Sequence, residues 1–364
     1  MQKIELKNKK ILVTGAAGFI GAFLSTALLR RFPEAEIIGL DSLNDYYEVS
    51  LKLARLRNIS ECACSVAFSD VENGFTAGRF TFIRGNLADR TLMEELFGRY
   101  RFDVVVNLAA QAGVRYSIDH PDVYIESNLI GFYNVLECCR RYPVEHLVYA
   151  SSSSVYGGNR KLPFSTDDKV DNPVSLYAAT KKSNELLAHA YSKLYEIPST
   201  GLRFFTVYGP AGRPDMAYFG FTNMLRAGET IKIFNYGNCR RDFTYVDDIV
   251  EGIIRVMQGP PEKNTGEDGL PLPPYRIYNI GNSHPENLLD FVDILSQELI
   301  RAEVLPADYD LDAHRQLVPM QPGDVPVTYA DTEALERDFG FRPNTSLRDG
   351  LRSFAQWYKE YYRI

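Results

Sequence analysis

Several classes of protein are excluded by what the chain has little of. Five cysteines in 364 residues are too few, and odd in number, for a disulfide framework. Metal-site spacing is missing too: Cys62 and Cys64 stand too close for the usual zinc pair, and the adjacent Cys138 and Cys139 fall in a helical pattern. Reduced thiols in a cytoplasmic protein are the expectation, with no metal. No block of Lys or Arg stands out against the net charge of −7, so no nucleic acid is expected as a partner, though a local cation for a phosphorylated ligand is. The opening Met-Gln-Lys-Ile-Glu lacks the charged-then-apolar plan of a signal peptide. The most apolar early stretch, Ile11 to Leu29, is long enough to cross a bilayer. Its three glycines and small polar residues fit a strand, a loop and a helix better, so no membrane partner is expected. Internal repeats and low-complexity tracts are absent.

What is present reads as an α/β protein. A length of 364 residues exceeds the roughly 250–300 at which one core stops growing, so two packed lobes are expected. Lys10 to Thr14 is a short apolar run, as in a fully buried strand. Gly15-Ala16-Ala17-Gly18-Phe19-Ile20-Gly21 then leads into an amphipathic helix ending near Arg31. A strand, a glycine turn and a helix start place backbone N–H groups at a positive dipole end, where a pyrophosphate binds. Gly15 permits the tight turn, Gly18 the approach of phosphate to backbone, and Gly21 close packing of helix on strand. A second strand, Glu36 to Leu40, ends at Asp41, 20 residues beyond Gly21 and near the distance at which an acid meets the adenosine ribose. A carboxylate there repels the extra phosphate of NADP and favours NAD; an ordinary turn aspartate is the alternative.

Further strand-helix pairs follow. Phe80 to Arg84 is a strand ending in Gly85-Asn86-Leu87, and Leu92 to Tyr100 is a helix. Asp103 to Asn107 is a buried strand running into the small residues Leu108-Ala109-Ala110, which admit a flat ligand or simply pack closely. Pro121 to Arg141 reads as one long helix carrying Asn128 and Gly131, and Glu61 to Gly78 as a surface excursion. His146 to Ala150 is a strand delivering Ser151-Ser152-Ser153-Ser154 at its C-terminal end, the edge at which open α/β sheets place ligands. Repetition through Arg203 predicts a doubly wound, mostly parallel Rossmann-type sheet. Beyond it the chain is richer in turns. Asn235 to Asp242 reads as a loop with two cations, Gly259 to Pro274 as an exposed connection, and Tyr275 to Ile280 as a strand returning to the main sheet. Residues 282–364 fit a smaller C-terminal α/β lobe.

Tyr177-Ala178-Ala179-Thr180-Lys181 opens a helical run to Leu194. Positions four apart share a helix face, so the phenol and the ammonium point into the same space. A cation near a phenol stabilises the phenolate, which would make Tyr177 a base near neutral pH. On these five residues alone, a surface Tyr and Lys on an ordinary helix is the simpler reading. The glycine turn upstream and the serines at a strand end favour the chemical one.

Taken together these pieces resemble the extended short-chain dehydrogenase/reductase family, in its nucleotide-sugar epimerase and dehydratase branch. The carriers are Thr14 to Gly21, Asn107 to Ala110, Ser151 to Gly157, Tyr177 to Lys181 and Arg241 to Asp248. Asn44 to Lys52, Arg203 to Met216 and Gln321 to Asp331 are most like the UDP-glucuronate 4-epimerases within that branch. Two departures stand out: Ala211 where the family has Trp, and Asn86 where it has Asp.

The resemblance implies an NAD-dependent isomerase inverting C4 of a UDP-sugar through a transient 4-keto intermediate, with UDP-glucuronate as the expected substrate. It implies residues 1–203 as the NAD-binding domain, rejoined by 242–281, with 204–241 and 282–364 as the nucleotide-sugar lobe, and a cytoplasmic homodimer. The implied catalytic set is Ser152, Tyr177 and Lys181. Gly15, Ala17, Gly18, Phe19, Ile20, Gly21, Asp41, Asn86, Leu87, Leu108, Ala109 and Ala110 would meet the cofactor, with Tyr177 and Lys181. Ser152, Ser153, Ser154, Tyr177 and Thr206 would meet the substrate; Arg213 would clamp a uronate carboxylate. Arg241 would meet the phosphates, Asp324 the uridine ribose, and Arg115 and Gln321 the same pocket.

Dehydratases and decarboxylases of the branch carry an acid one or two places after the position of Ser152. Ser153 and Ser154 stand there, which disfavours elimination and decarboxylation. A 4-epimerase for UDP-glucose or UDP-N-acetylglucosamine is the nearest alternative, and an NAD-binding regulatory protein the non-enzymatic one.

Overall fold

Runs of Ile, Val, Leu and Phe too short for helices form one sheet buried on both faces. The structure is a computed structural model that describes residues 3–66, 68, 70–266, 268–320 and 326–364. Strands β1 (Lys10–Thr14), β2 (Glu36–Asp41), β3 (Phe75–Ala77), β4 (Phe80–Arg84), β5 (Val104–Asn107), β6 (His146–Ser152) and β7 (Ser199–Phe204) build the first half. Between them run α1 (Phe19–Arg31), α2 (Val49–Cys64), α3 (Arg90–Tyr100), the short α4 (Tyr116–Asp119) and α5 (Pro121–Tyr124), α6 (Gly131–Arg141) and α7 (Leu176–Tyr195). Next come β8 (Thr206–Tyr208), α8 (Ala217–Arg226), β9 (Ile231–Ile233), β10 (Arg240–Tyr245) and α9 (Val246–Met257). A small hairpin, β11 (Asn264–Thr265) with β12 (Pro271–Leu272), precedes β13 (Tyr275–Ile280) and β14 (Pro285–Asn287). The chain closes with α10 (Leu288–Arg301), β15 (Arg315–Leu317), β16 (Val327–Thr328), α11 (Glu333–Phe339) and α12 (Leu347–Tyr362).

The main sheet has the order β13-β7-β6-β5-β1-β2-β4-β3. Every neighbour is parallel except β3, which runs antiparallel to β4. The order reverses between β1 and β5, and such a switch point opens a crevice at the C-terminal strand ends. The loop after β1 meets the loop after β5 there: a Cβ on Gly15 would lie 2.9 Å from the Ala109 nitrogen. This is the doubly wound α/β sheet expected from the pattern. The second core lies off the sheet, with Phe219, Phe243, Phe291 and Phe354 at its centre. β10 ties it in, pairing with β8 and β16 in parallel and with β14 antiparallel. No helix among the described residues is long and apolar enough to cross a membrane.

Three local expectations need correction. Pro121 to Arg141 is not one α-helix: Ile125–Ile130 is a π-helical segment between α5 and α6. Asn128 in this widened turn accepts from the Gln111 amide (2.8 Å) and donates to the Gln111 carbonyl and to Thr180 Oγ1 (3.0 Å each). The π turn thus joins the β5 loop to α7, a use common for such segments near functional sites. Glu61 to Gly78 is less irregular than expected, since α2 runs to Cys64 and β3 pairs with β4. Arg240 and Arg241 lie on a strand rather than a loop, paired with Asn287 and Glu286. The Gly259 to Pro274 connection is largely exposed as expected, and carries the β11–β12 hairpin.

Candidate active site

A cavity of about 470 Å³ opens at the switch point. Its floor is the end of β6 and the first turns of α7. Ser175 caps α7, its hydroxyl accepting from the Ala178 amide at 3.1 Å, which sets where Tyr177 and Lys181 emerge. Tyr177, Lys181 and Glu185 follow at intervals of four on one face of that helix. The Lys181 ammonium donates to the Ala150 carbonyl at 3.0 Å, and Ser151 Oγ donates to Glu185 at 2.7 Å. Arg203 on β7 holds both oxygens of the same carboxylate, at 2.8 and 2.9 Å. Helix α7 is thus fastened to β6 and β7 at two levels beneath the cavity, Lys181 to Ala150 and Glu185 to the paired Ser151 and Arg203.

Ser152 Oγ accepts from the Ser154 amide (3.1 Å) and donates to Ser154 Oγ (3.0 Å). Burial raises the Tyr177 phenol above its ordinary value, while a hydrogen bond with Ser152 and the charge of Arg213 pull it back and Asp215 opposes them. Burial brings the Lys181 ammonium down to about 8. The groups that act to lower the phenol here are Ser152 and Arg213, without overcoming its burial, and Lys181 donates to the Ala150 carbonyl.

At the opposite end the walls are main chain. Gly15 has φ +70°, and a Cβ on Gly21 would collide with the Gly15 carbonyl oxygen. Gly18 is the N-cap of α1 and offers no side chain, so the first-turn N–H groups of Phe19, Ile20 and Gly21 have no side-chain cap where they line the cavity. Asp41 stands beside them, its carboxylate accepting from the Ala17 amide at 3.1 Å and the Leu43 amide at 2.9 Å. Ala17 itself lies behind this wall. Asn86 and Leu87 line the next stretch, Asn86 accepting from Ala88 N (3.0 Å) and donating to Glu126 (3.1 Å). Leu108, Ala109 and Ala110 complete it, with the Ala109 amide fastened to Thr14 Oγ1 at 3.1 Å. An uncapped helix start, close-packed glycines and an acid at the end of β2 fit the diphosphate and ribose of a dinucleotide.

At the end away from the glycine loop, Ser152, Ser153, Ser154, Thr206 and Arg213 line the same cavity as Tyr177 and Lys181. Arg213 makes a two-pronged pair with Asp215, from Nε at 3.0 Å and Nη2 at 2.6 Å, and Tyr46 donates to the same carboxylate at 3.1 Å. Burial works against the charged form of Arg213, yet Asp215 holds it above its ordinary value. Arg241 lies outside this cavity, donating to the carbonyls of Arg240 (3.0 Å) and Pro326 (3.1 Å). Arg115, at the N-cap of α4, is exposed and also outside it. Asp324 and Gln321 lie outside the described residues.

Sequence reasoning missed Tyr46, Lys52, Arg55, Asp215 and Glu185. Glu185 had a local signal, since it continues the four-residue spacing of Tyr177 and Lys181. Asp215 stands two places from Arg213 and was legible as its partner only once the loop was known to turn back. Arg55 had none.

The fold and this constellation define a Rossmann-type protein of the kind that works on a substrate hydroxyl beside a bound dinucleotide. The chain belongs to the NAD dependent epimerase/dehydratase family, whose model matches residues 11–281. It is 49% identical over 360 residues to Protein CapI of Staphylococcus aureus, covering 97% of this chain and 99% of that one. It is 44% identical over 359 residues to UDP-glucuronate 4-epimerase 4 of Arabidopsis thaliana, covering 97% of this chain and 76% of that one. Among solved structures it is similar to UDP-glucuronic acid 4-epimerase from Bacillus cereus in complex with UDP-glucuronic acid and NAD. That match has a TM-score of 0.79 at 30% identity, over 97% of this chain and 100% of the other.

Proposed function

We propose that this protein interconverts UDP-glucuronate and UDP-galacturonate by inversion at C4. The observation that carries the reading is the placement of Arg213 in one cavity with Ser152, Tyr177 and Lys181, close enough that its charge acts on the phenol. The similarity to UDP-glucuronate 4-epimerases supports it. NAD, when bound, supplies a reversible hydride acceptor for C4, so the overall reaction is redox-neutral. The residues lining the glycine-walled end, with Asp41, hold it.

Tyr177 takes the proton of the sugar 4-hydroxyl and later returns it, as a phenolate that the cationic nicotinamide ring would favour against the burial that raises the phenol. Ser152 hydrogen-bonds the same oxygen and steadies the phenol. Lys181 supplies a cation beneath the site whose proton is held loosely, because burial has lowered its pKa to about 8. Arg213 holds the uronate carboxylate. That hold matters because a 4-keto glucuronate is a β-keto acid, and fixing its carboxylate opposes loss of CO₂. With serine at positions 153 and 154, no acid is placed there to drive elimination.

A second reading, a 4-epimerase for neutral UDP-sugars, is favoured by one observation: Asp215 already neutralises part of Arg213. Incubation with a panel of UDP-sugars, with separation of epimers and assay of released CO₂, tests both. The expected outcome is the same pair of uronates from either one, no CO₂ and no product from UDP-glucose. Turnover of UDP-glucose alone would overturn the primary reading.

The same reading places residues 1–203 and 242–281 with the cofactor, and 204–241 and 282–364 with the nucleotide sugar, in a cytoplasmic enzyme. In this reading Arg241 and Arg115, which stand outside the cavity, meet the nucleotide together with Gln321 and Asp324. A homodimer is supported by apolar residues left exposed on neighbouring helical elements, Ile118, Ile130, Leu186 and Leu194.

A further inference from the structure

Among the described residues, one cation deep in the fold has no acid paired with it. Arg55 of α2 is 2% exposed, and its hydrogen bonds go to neutral oxygens. Nη1 donates to the Ala17 carbonyl at 3.0 Å and the Tyr47 hydroxyl at 2.6 Å. Nε and Nη2 donate to the Ala211 carbonyl at 2.9 and 2.7 Å, and Nη2 also to the Gly212 carbonyl at 3.0 Å. Arg203, equally buried, sits between two carboxylate oxygens of Glu185. A buried charge is ordinarily paired, so the exception calls for a reason.

The partners supply one. Ala17 belongs to the glycine loop at the cofactor end, and Ala211 and Gly212 immediately precede Arg213 at the sugar end. The 211–212 turn has little freedom of its own. Ala211 has φ +49°, a left-handed conformation that a residue with a Cβ adopts at a cost, and its carbonyl is the one that takes two Arg55 bonds. A Cβ on Gly212 would collide with the Tyr218 hydroxyl. The turn is therefore pinned between Tyr218 on one side and Arg55 on the other. Lys52, one turn earlier on α2, adds to the positive charge: it lies 4.8 Å from the centre of the Tyr47 ring, Arg55 lies 5.4 Å from it, and burial lowers the Lys52 pKa.

We propose that Arg55 is a positioning residue that couples the two ends of the cavity. It holds the Ala211–Gly212 turn against the glycine loop, so that Arg213 is presented to the sugar. An anion at the glycine loop supplies the countercharge that Arg55 lacks locally, whereas Lys52 already feels the carboxylates of Asp41 and Asp45. Such an anion strengthens the hold on Ala211 and so on Arg213; by linkage, a carboxylate on Arg213 tightens the anion in turn. Identification of that carboxylate as a uronate rests on the proposed function, whereas the link from Ala17 to Ala211 does not.

The test is a double-mutant cycle on the holoenzyme, reading UDP-glucuronate and UDP binding by calorimetry. Arg55→Lys is expected to weaken UDP-glucuronate about tenfold while leaving UDP within about twofold. In an Arg213→Ala background the same change is expected to alter UDP-glucuronate binding less than about twofold. Additive effects, or an equal loss for UDP, overturn the proposal. Should Arg55→Lys not fold, the wild type decides: UDP-glucuronate should tighten NAD binding to cofactor-depleted protein about fivefold more than UDP does, and equal tightening overturns it. A non-additive cycle without epimerisation by the wild type sinks the proposed function and leaves the coupling standing. An additive cycle with normal epimerisation sinks the coupling alone.

Discussion

One end of the cavity is lined by the glycine loop and the first turn of α1, with Phe19, Ile20 and Gly21, whereas the end proposed to take the sugar is lined by Ser152, Tyr177 and Arg213. The first surface is as rigid as the packing behind it and leaves no room for a Cβ. The second rests on pairs and hydrogen bonds that single substitutions can retune. A main-chain surface suits the part of the reaction that stays constant, and a side-chain surface the part that selects a substrate.

The largest expected effect lies at the sugar end. Tyr177→Phe removes the proton acceptor and should lower kcat by roughly 10²–10⁴, with NAD and UDP affinities nearly unchanged. Steady-state rates beside ligand titrations check this, and a kcat close to wild type would break the assignment of Tyr177 as base. Gly21→Ala probes the other end. Its Cβ meets the Gly15 carbonyl, so NAD affinity should fall roughly 10–100-fold, the range for overpacking a tight site. UDP binding should barely move; equal loss of both ligands would erase the contrast between the ends.

These two ends were not equally legible in the amino-acid sequence. The glycine loop could be read because main-chain sites leave a spacing behind: Gly15, Gly18, Gly21 and Asp41 are placed by a strand, a turn and a helix in immediate succession. Tyr177 and Lys181 were legible for the same reason, being one helical turn apart. The sheet followed from short apolar runs, yet the π turn at Ile125–Ile130 did not, since it exists to carry Asn128 to Gln111 and Thr180, contacts absent from local periodicity. Arg55 escaped entirely. Its main-chain partners lie 38, 156 and 157 positions away along the chain, and only the folded molecule brings them together.

A smaller effect concerns the floor shared by both ends. The folded pKa of Lys181, about 8, lies below its ordinary 10.5, so between those values the unfolded chain binds more protons and stability rises with pH. Below pH 8 both states are protonated and the burial penalty is fully present. In cofactor-depleted protein, Lys181→Met should therefore gain most in Tm over wild type near pH 7, and the gap should narrow as pH rises through 8 to 10. Thermal melts across that range check it, and a gap independent of pH would mean that the buried ammonium carries no such penalty.

The claim on which the account turns is that the side-chain end selects the substrate through Arg213. Its most direct measurement is kcat/KM of Arg213→Ala on UDP-glucuronate, with assay of CO₂ in the same reactions. Loss of a charge-assisted pair should lower it by roughly 10–100-fold, and a larger share of the remaining turnover should end as CO₂, with UDP affinity unchanged. An unaltered kcat/KM with no CO₂ would contradict the account.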